Sequence, residues 1–351
     1  MKKTSRIERR TLVRCLALTG MIVAAGVWSS AQAQAKPPQR PTDAKLIAAG
    51  KADATLTVYT ASSATALKAD AEAFEKAYGI KVSYTQMTSG PMAARVDQEI
   101  KAGRINADLI VSADTTTLYR WVAGGYIGKL PDVPFPDRTE FVAPIQSIYQ
   151  SLFYNTAGVA KADIPKTWND LLKPKFTGKI VIGSPRIGTA YATQYYALLK
   201  DPNYGEAFFQ KLALQKPRIV ATPALVAQLT ASGEALVAFN GIPYDAANIV
   251  TANPGAPIAY TYLDPITTAR TYVAISAKAQ KPNAAKLFAA WLMSVEGQTV
   301  HNGENRASSL LGNLPGTLAA PDPARVRADY TVNKTTIEYQ AIINMFDRTF
   351  K

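Results

Sequence analysis

Small hydroxyl side chains and glycines follow several predicted strands of this sequence, at the points where helices begin. Three such junctions are Ala61-Ser62-Ser63, Thr88-Ser89-Gly90 and Arg186 to Ala190, the last of which contains Gly188 and Thr189. Each offers free backbone N–H groups and a hydroxyl at the positive end of a helix dipole, which suits an oxygen of a carboxylate, phosphate or phosphonate. Helix capping alone would explain any one junction, but the convergence of three favours an anion-binding site.

Other polar groups near strand ends could complete such a site. Arg186 and Arg270 could each neutralise an anion through two hydrogen bonds, although such arginines are more often surface residues. Asp114 and Asp264 could bind an amine of a ligand, or could cap a helix or brace a hinge instead. In the segment Gly241-Ile242-Pro243-Tyr244-Asp245, the glycine permits close approach of a backbone, and the tyrosine can hydrogen-bond and stack. The predicted ligand-binding residues are Ser62, Ser63, Ser89, Gly90, Ser112, Asp114, Arg186, Gly188, Thr189, Gly241, Tyr244 and Arg270.

The composition excludes several kinds of chemistry. Among 351 residues there are one Cys and one His, so no disulfide framework and no Cys/His zinc site can form, and most acid–base and nucleophilic schemes lack their residues. No Gly-x-Ser-x-Gly elbow, His-Glu-x-x-His pair or phosphate loop is present. We therefore expect no catalytic residue, no metal and no cofactor, and a hydrolase with paired carboxylates is the enzyme alternative. The net charge of +13 is not accompanied by clustered basic and aromatic residues, so nucleic acid is not an expected partner.

The first 35 residues have the pattern of an export signal. Basic residues precede an apolar stretch from Cys15 to Trp28, and Ala33-Gln34-Ala35 offers cleavage after either alanine. The stretch is too short and too rich in Gly and Ala for a good membrane span. Arg9-Arg10 resembles a twin-arginine signal, with Sec export as the alternative. We expect the mature protein in the periplasm, without any cysteine.

Apolar runs and helical spacing alternate along the mature chain. One predicted helix extends its apolar face from Leu67 to Tyr78 and ends at Gly79, and the next begins near Pro91 and ends at Gly103. Alternation of strands and helices implies parallel pairing with right-handed crossovers, so the predicted fold class is α/β with doubly wound sheets. The predicted strands are 56–60, 80–86, 107–112, 179–183, 218–220 and 235–239.

Two extended segments join two such α/β units. A chain that leaves one lobe and later re-enters it is connected by two crossing strands, which form a natural hinge. We expect lobe 1 at residues 54–143 and 265–351, lobe 2 at 144–264, and a disordered or short helical N-terminal segment at 36–53. Because ligands of doubly wound lobes bind beyond the C-terminal ends of the strands, the polar junctions are expected in the cleft between the lobes.

Several segments resemble the periplasmic solute-binding proteins of ABC importers, and more narrowly their iron(III)-binding type. The resemblance covers nearly all of the mature chain. It implies a type II periplasmic-binding-protein-like fold, capture of a small solute by hinge closure, and delivery to a permease in the inner membrane. The segments are TLTVYTA (55–61) with the helix after it, GRINADLIVSAD (103–114), LFYNT (152–156), PKTWNDLLKPKFTGKI (165–180) and WLMSVEGQ (291–298).

The same resemblance indicates where iron ligands would lie. Ferric proteins of this type use a histidine, a glutamate and a pair of tyrosines, and the matching positions here hold Ser63, Ala113, and Ile242 with Pro243. These residues cannot supply the carboxylate, phenolate and imidazole groups that ferric ion prefers. We therefore expect an anionic organic solute, either a carboxylate, a phosphate ester or a phosphonate, with ferric iron or a ferric chelate as the alternative.

Two further sequence features are predicted to be structural. Tyr195 and Tyr196 are adjacent in a predicted helix and point about 100° apart, so one is expected in the core and one beside it. His301, near the end of a C-terminal helix, is expected to be a cap or a surface residue. The protein is expected to be a monomer that serves a permease, with a membrane sensor as the alternative partner.

Overall fold

A computed structural model describes residues 37–87, 89–327 and 337–350, apart from the side chains of Ala64, Ser89 and Asn305. The predicted export signal at 1–35 lies outside these ranges. Within them, no helix has the length and apolar character needed to cross a membrane.

Strands and helices alternate as the hydrophobic pattern predicts. The strands are β1 (Thr55–Thr60), β2 (Lys81–Gln86), β3 (Leu109–Ser112), β4 (Ile127–Gly128), β5 (Val142–Tyr149), β6 (Ser151–Asn155), β7 (Ile180–Gly183), β8 (Arg218–Val220), β9 (Val237–Gly241), β10 (Ile258–Thr261), β11 (Ile266–Ser276) and β12 (Val326–Arg327). The helices are α1 (Ala44–Asp53), α2 (Ala64–Tyr78), α3 (Ser89–Lys101), α4 (Thr115–Ala123), α5 (Thr189–Lys200), α6 (Gly205–Leu214), α7 (Pro223–Ala231), α8 (Pro243–Ala252), α9 (Pro282–Leu292), α10 (Val295–Asn305) and α11 (Ile337–Thr349).

The strands form two sheets, which define two lobes. In lobe 1 the order is β12-β11-β3-β1-β2, with β4 and β5 also paired to β11; in lobe 2 it is β10-β6-β9-β7-β8. The strand pairs β1–β2, β1–β3, β7–β8 and β7–β9 are parallel, whereas β11 runs antiparallel to β3 and β5. The predicted α/β class is thus confirmed, with parallel strand pairs in both sheets.

Each sheet is buried on both faces because successive strand residues point to opposite sides. In lobe 1, Val58 packs in a core with residues of α2 and α9, while its neighbour Tyr59 packs with residues of α3 and α4. In lobe 2, Ile182 packs with residues of α5 and α6, while Val181 packs with residues of α7 and α8. Fully buried strands of this kind appear in the sequence as continuous apolar runs, and their positions could therefore be predicted.

The chain crosses between the lobes along two extended paths. β5 belongs to the sheet of lobe 1 and is followed at once by β6 in lobe 2, whereas β10 in lobe 2 precedes β11 in lobe 1. These paths are the two crossing strands that the sequence predicts.

One terminal segment differs from the sequence-based expectation, whereas α1 agrees with the short helix expected as one alternative within 36–53. α11 was expected in lobe 1 with the rest of 265–351, but Ile342 and Phe346 pack into the core of lobe 2 beside α5. An amphipathic helix does not reveal which apolar surface it covers, so the pattern could not assign it. At the other end, the segment expected to be disordered or briefly helical is held in place from Pro38, whose C=O accepts a 2.8 Å hydrogen bond from the N–H of Val295.

Candidate functional site

The floor of the cleft between the lobes is the antiparallel ladder of β5 and β11. In this ladder Arg270 is paired with Ser147, and Thr268 is paired with Tyr149. One cavity contacts the β11 members of these pairs and a second cavity contacts the β5 members. The two cavities are therefore adjoining parts of one cleft above the hinge.

The first cavity joins the beginnings of two helices, one from each lobe. It has a volume of about 340 Å³ and lies between Ala113 and Thr115 at the start of α4, Thr189 at the start of α5, and β11 with Arg270. Helix N-termini carry partial positive charge and free N–H groups, so this wall favours an anion. Of the predicted ligand-binding residues, Thr189 and Arg270 are thus brought together.

The second cavity is richer in aromatic side chains. It has a volume of about 210 Å³ and lies between β5, the start of α8 at Ile242 to Tyr244, Tyr262, and the turn after α10 at Arg306 to Ser308. Tyr149 and Tyr262 meet edge to face, with ring centroids 6.2 Å apart. The predicted residue Tyr244 lies here.

Two arginines supply positive charge to the cleft. Arg270 donates through Nη1 to Asp137 at 2.8 Å, with 19% of its side chain exposed, and its Nε is shielded from solvent without a partner among the described residues. Asp137, an exposed non-glycine residue at φ 54°, holds this guanidinium from the side of lobe 1. Arg306 ends α10 in the left-handed conformation and lines the second cavity.

The lobe 2 wall depends on an unusual backbone position. Asn240, the second-last residue of β9, has φ 59°, and its side chain accepts from the N–H of Gly183 at 3.1 Å and donates to the C=O of the same residue at 3.3 Å. Asparagine tolerates this conformation better than most residues, and here it directs the chain into α8. Gly241 follows because a Cβ there would lie 2.5 Å from the ring of Phe153, so packing accounts for the glycine.

Four of the predicted residues lie just before helices of lobe 1, and two of them cap those helices. Ser63 caps α2 by accepting from the N–H of Ala66 at 3.2 Å, and Asp114 caps α4 by accepting from the N–H of Thr117 at 3.1 Å. Ser112 accepts from the N–H of Asp114 at 3.1 Å. The hydroxyl of Ser62 is buried without a partner among the described residues, while its N–H donates to Thr60 at 3.0 Å. None of the four lines either cavity.

The remaining predicted residues lie at helix starts. Gly90 is exposed in the first turn of α3, and the side chain of Ser89 is outside the described part of the chain. Gly188 precedes α5 in an extended conformation. Arg186 forms an exposed ion pair with Asp347 of α11, with the two charged groups 2.6 Å apart, so this arginine links α11 to lobe 2. Asp264, the alternative amine ligand, accepts from Arg325 at 3.0 Å.

The structural interpretation of the tyrosine pair is confirmed, and that of the histidine is wrong. Tyr195 is fully buried and donates to the C=O of Gly183 at 2.8 Å, while Tyr196 is half-buried beside Lys200. His301 is not a surface residue: it is 1% exposed, and its Nδ1 lies 2.7 Å from Oδ2 of the equally buried Asp70. The two lie 231 positions apart in the sequence, and no local pattern could reveal their pairing. Among the described residues, no group of three or more His, Cys, Asp or Glu side chains could hold a metal ion.

Sequence reasoning missed three polar residues in or near the cleft. Arg306 lines the second cavity, whereas Asp245 and Tyr191 lie in lobe 2 outside both cavities, and Oδ2 of the aspartate and the hydroxyl of the tyrosine lack partners among the described residues. Arg306 could have been suspected only from its place after a helix. Burial raises the pKa of Asp245 to about 7, and burial followed by the charge of Asp245 raises the pKa of Tyr244.

Two α/β lobes joined by crossing strands, with a polar cleft above the hinge, define a two-lobed receptor for small solutes, the type II periplasmic-binding-protein fold. The sequence assigns the chain further, because residues 59–299 match the model of the bacterial extracellular solute-binding protein family. The chain belongs to this family. The family and the fold are those of solute-binding proteins that serve ABC transporters, and not of enzymes.

Individual relatives differ in what they bind. A Salmonella typhimurium protein with the provisional name 2-aminoethylphosphonate-binding periplasmic protein is 28% identical over 257 residues, which are 70% of this chain and 72% of the relative. Iron-bound HitA from Pseudomonas aeruginosa superposes with a TM-score of 0.63 at 20% identity, over 84% of this chain and 99% of that one. AfuA from Actinobacillus pleuropneumoniae, solved with fructose-6-phosphate, has a TM-score of 0.56 at 22% identity, over 84% and 98% of the two chains. The similarity to the two solved structures establishes the fold alone.

Proposed function

We propose that this protein captures a small organic anion, a phosphonate in the first place, between its lobes and delivers it to an ABC permease. The observation that carries the proposal is the convergence of Arg270, Arg306 and the N-termini of α4 and α5 on one cleft. Two guanidinium groups and two helix N-termini together match an acidic group with several oxygens. Phosphate esters and carboxylates share this chemistry.

The Salmonella relative supports a phosphonate, because its name assigns it an aminophosphonate. Ferric iron has less support, since Ser63, Ala113, Ile242 and Pro243 stand where the resemblance indicates iron ligands. Hinge closure would bring the lobe 2 wall at Thr189 and Tyr244 onto a ligand that rests on Arg270, and would remove the ligand from water. The three junctions with Ser62 and Ser63, with Ser89 and Gly90, and with Gly188 would then surround the closed cleft.

Thermal stabilisation of the exported protein by added ligands tests this function. A panel would contain 2-aminoethylphosphonate, ethylphosphonate, sugar phosphates, dicarboxylates and ferric citrate. A ligand that binds only the folded state stabilises it by about 2.7 kcal/mol at 100 times its Kd. We expect phosphonates to raise the melting temperature, and a response to ferric citrate alone would overturn the proposal in favour of iron.

Replacement of Arg270 by glutamine should weaken phosphonate binding by about thirtyfold or more, because a desolvated charge pair is lost. Isothermal titration calorimetry measures the effect. Arg218→Gln is the matched control, since Arg218 forms an exposed ion pair with Glu234 away from the cavities. Equal affinities of the two variants would exclude Arg270 from the site.

A further inference from the structure

A partly buried aspartate, with one carboxylate oxygen shielded from solvent, lies beside the cleft. Asp245, in the first turn of α8, directly follows Ile242 to Tyr244, which line the second cavity. Its Oδ2 is shielded from solvent and forms no hydrogen bond with the described residues. Burial raises the pKa of Asp245 to about 7, and no cation of the described chain offsets this rise. A carboxylate in such surroundings is unfavourable unless a positive group compensates it.

Tyr191 and Tyr244 pack in one cluster of lobe 2, together with Ile242 and Ala246 on either side of Asp245. Tyr191 of α5 is 1% exposed, and its hydroxyl has no partner among the described groups. Burial raises the pKa of Tyr191, and the charge of Asp245 raises it further. Tyr191 lies one half-turn after Thr189, which lines the first cavity. Tyr191 therefore lies close in sequence to a residue of the first cavity, and Asp245 directly follows residues of the second.

This arrangement supplies the three hydrogen-bond acceptors that a primary ammonium group requires. An ammonium group carries three N–H donors and no acceptor, and one carboxylate oxygen with two phenolic oxygens supplies three acceptors. The acidic group of the same ligand would lie toward Arg270 and Arg306, on the lobe 1 side of the cleft. Opposite charges on the two walls suit a ligand with opposite charges at its two ends.

We propose that Asp245, with the hydroxyls of Tyr191 and Tyr244, binds an ammonium group of the ligand, and that the solute is a zwitterionic aminophosphonate. The inference rests on the proposed function, since it assigns the second end of the same ligand. It also explains why a carboxylate is retained in an apolar wall: the ligand supplies the charge that the free protein lacks.

The test compares 2-aminoethylphosphonate with ethylphosphonate, which lacks the amine, in the exported protein and in its Asp245→Asn variant. Calorimetry at pH 8 should show that the wild type prefers the amino compound by at least about tenfold. Asp245→Asn should weaken binding of 2-aminoethylphosphonate by about thirtyfold and leave ethylphosphonate within about threefold. Glu234→Gln, which removes an exposed carboxylate of the same lobe, is the matched control.

The outcomes separate the two proposals. If the wild type binds neither phosphonate, the proposed function fails, and the inference fails with it. If the wild type binds both equally, or if Asp245→Asn weakens both by the same factor, only the ammonium site is excluded. Tyr191→Phe is a second variant that keeps the buried ring, and it should reduce the preference for the amino compound by about threefold to tenfold.

Two pH-dependent measurements reinforce the test. The preference for 2-aminoethylphosphonate should fall between pH 8 and pH 6, because Asp245 takes up a proton while the ligand amine stays charged, and ethylphosphonate controls for titration of the phosphonate itself. Tyr191 and Tyr244, whose pKa values burial raises, stay protonated throughout.

Without ligand, Asp245→Asn should raise the melting temperature more at pH 8 than at pH 5, because a raised carboxyl pKa lowers folded-state stability as pH rises. An unchanged or lowered melting temperature at pH 8 would contradict an uncompensated carboxylate at this position.

Discussion

Replacement of His301 by leucine is expected to lower the free energy of unfolding by about 3–5 kcal/mol, the range for breaking a buried ion pair by removal of one partner. His301 on α10 bonds Asp70 on α2 at 2.7 Å, and both side chains are almost completely buried. Oδ1 of Asp70 has no other partner in the described chain, so the variant would leave a buried carboxylate unsatisfied. Urea unfolding followed by tryptophan fluorescence measures the change.

The pH dependence of this loss has a definite sign. Burial raises the pKa of Asp70, and the charge of His301 acts in the opposite direction. Without His301 the carboxyl pKa rises further, so Asp70 of the variant stays protonated over a wider pH range, and the variant should be less destabilised at low pH than at pH 8. A deficit below about 1 kcal/mol at pH 8 would show that the pair is not needed for stability.

A double variant separates the pair from the packing around it. Asp70→Leu with His301→Leu should recover most of the stability, because exchange of a buried pair for apolar side chains is often neutral or stabilising. The pair adjoins the apolar side chains of Val58, Leu67 and Phe288, against which the two leucines can pack.

Replacement of Gly297 by alanine is expected to destabilise the protein by about 3 kcal/mol, the upper end of common overpacking effects. Helix propensity alone predicts the opposite, since alanine is favoured over glycine by about 1 kcal/mol in a helix. A Cβ at this position would, however, lie 2.7 Å from the carbonyl carbon of Trp291 and 2.8 Å from the Cα of Leu292. The Trp291 carbonyl is held by the N–H and hydroxyl of Ser294 at 2.9 and 2.6 Å, so the backbone cannot easily shift.

Gly303→Ala in the same helix is the matched control. The nearest atoms to a Cβ there are 3.8 Å away in Gly316 and Pro315, so the substitution has room. It should stabilise the protein by up to about 1 kcal/mol. Thermal unfolding of the two variants should therefore shift in opposite directions, and a shift in the same direction would refute the steric argument.

The sequence predicted those features that depend on local pattern. The strands around Val58 and Ile182 were predicted because a strand buried on both faces is a continuous apolar run. Gly79 was correctly predicted to end its helix, where it has φ 73°. The segment with Gly297 supported the resemblance to solute-binding proteins, but the reason for its glycine became apparent only from the approach of Trp291.

The site was less accessible to prediction because it depends on distant partners. Thr189 was identified as a helix-start residue and Arg270 as an arginine that could neutralise an anion, and they line one cavity. Arg186 was predicted on the same grounds as Arg270, yet it forms an ion pair with Asp347 near the end of the chain. Asp245 was not predicted as a binding residue because a lone aspartate after a strand is ordinarily solvated, and only tertiary packing shields it from solvent.

Each lobe is built from early and late segments of the chain, and this determines when its core can be completed. The core of lobe 1 contains residues of β1 and α2 together with residues of α9, and the core of lobe 2 contains residues of β7 together with Ile342, Met345 and Phe346 of α11. Neither core is complete during synthesis until its late segment has been made, and contacts between segments so far apart in sequence form slowly. A chain interrupted before α11 would expose the apolar surfaces of α5 and α6, and should be recognised by proteases and chaperones as unfinished.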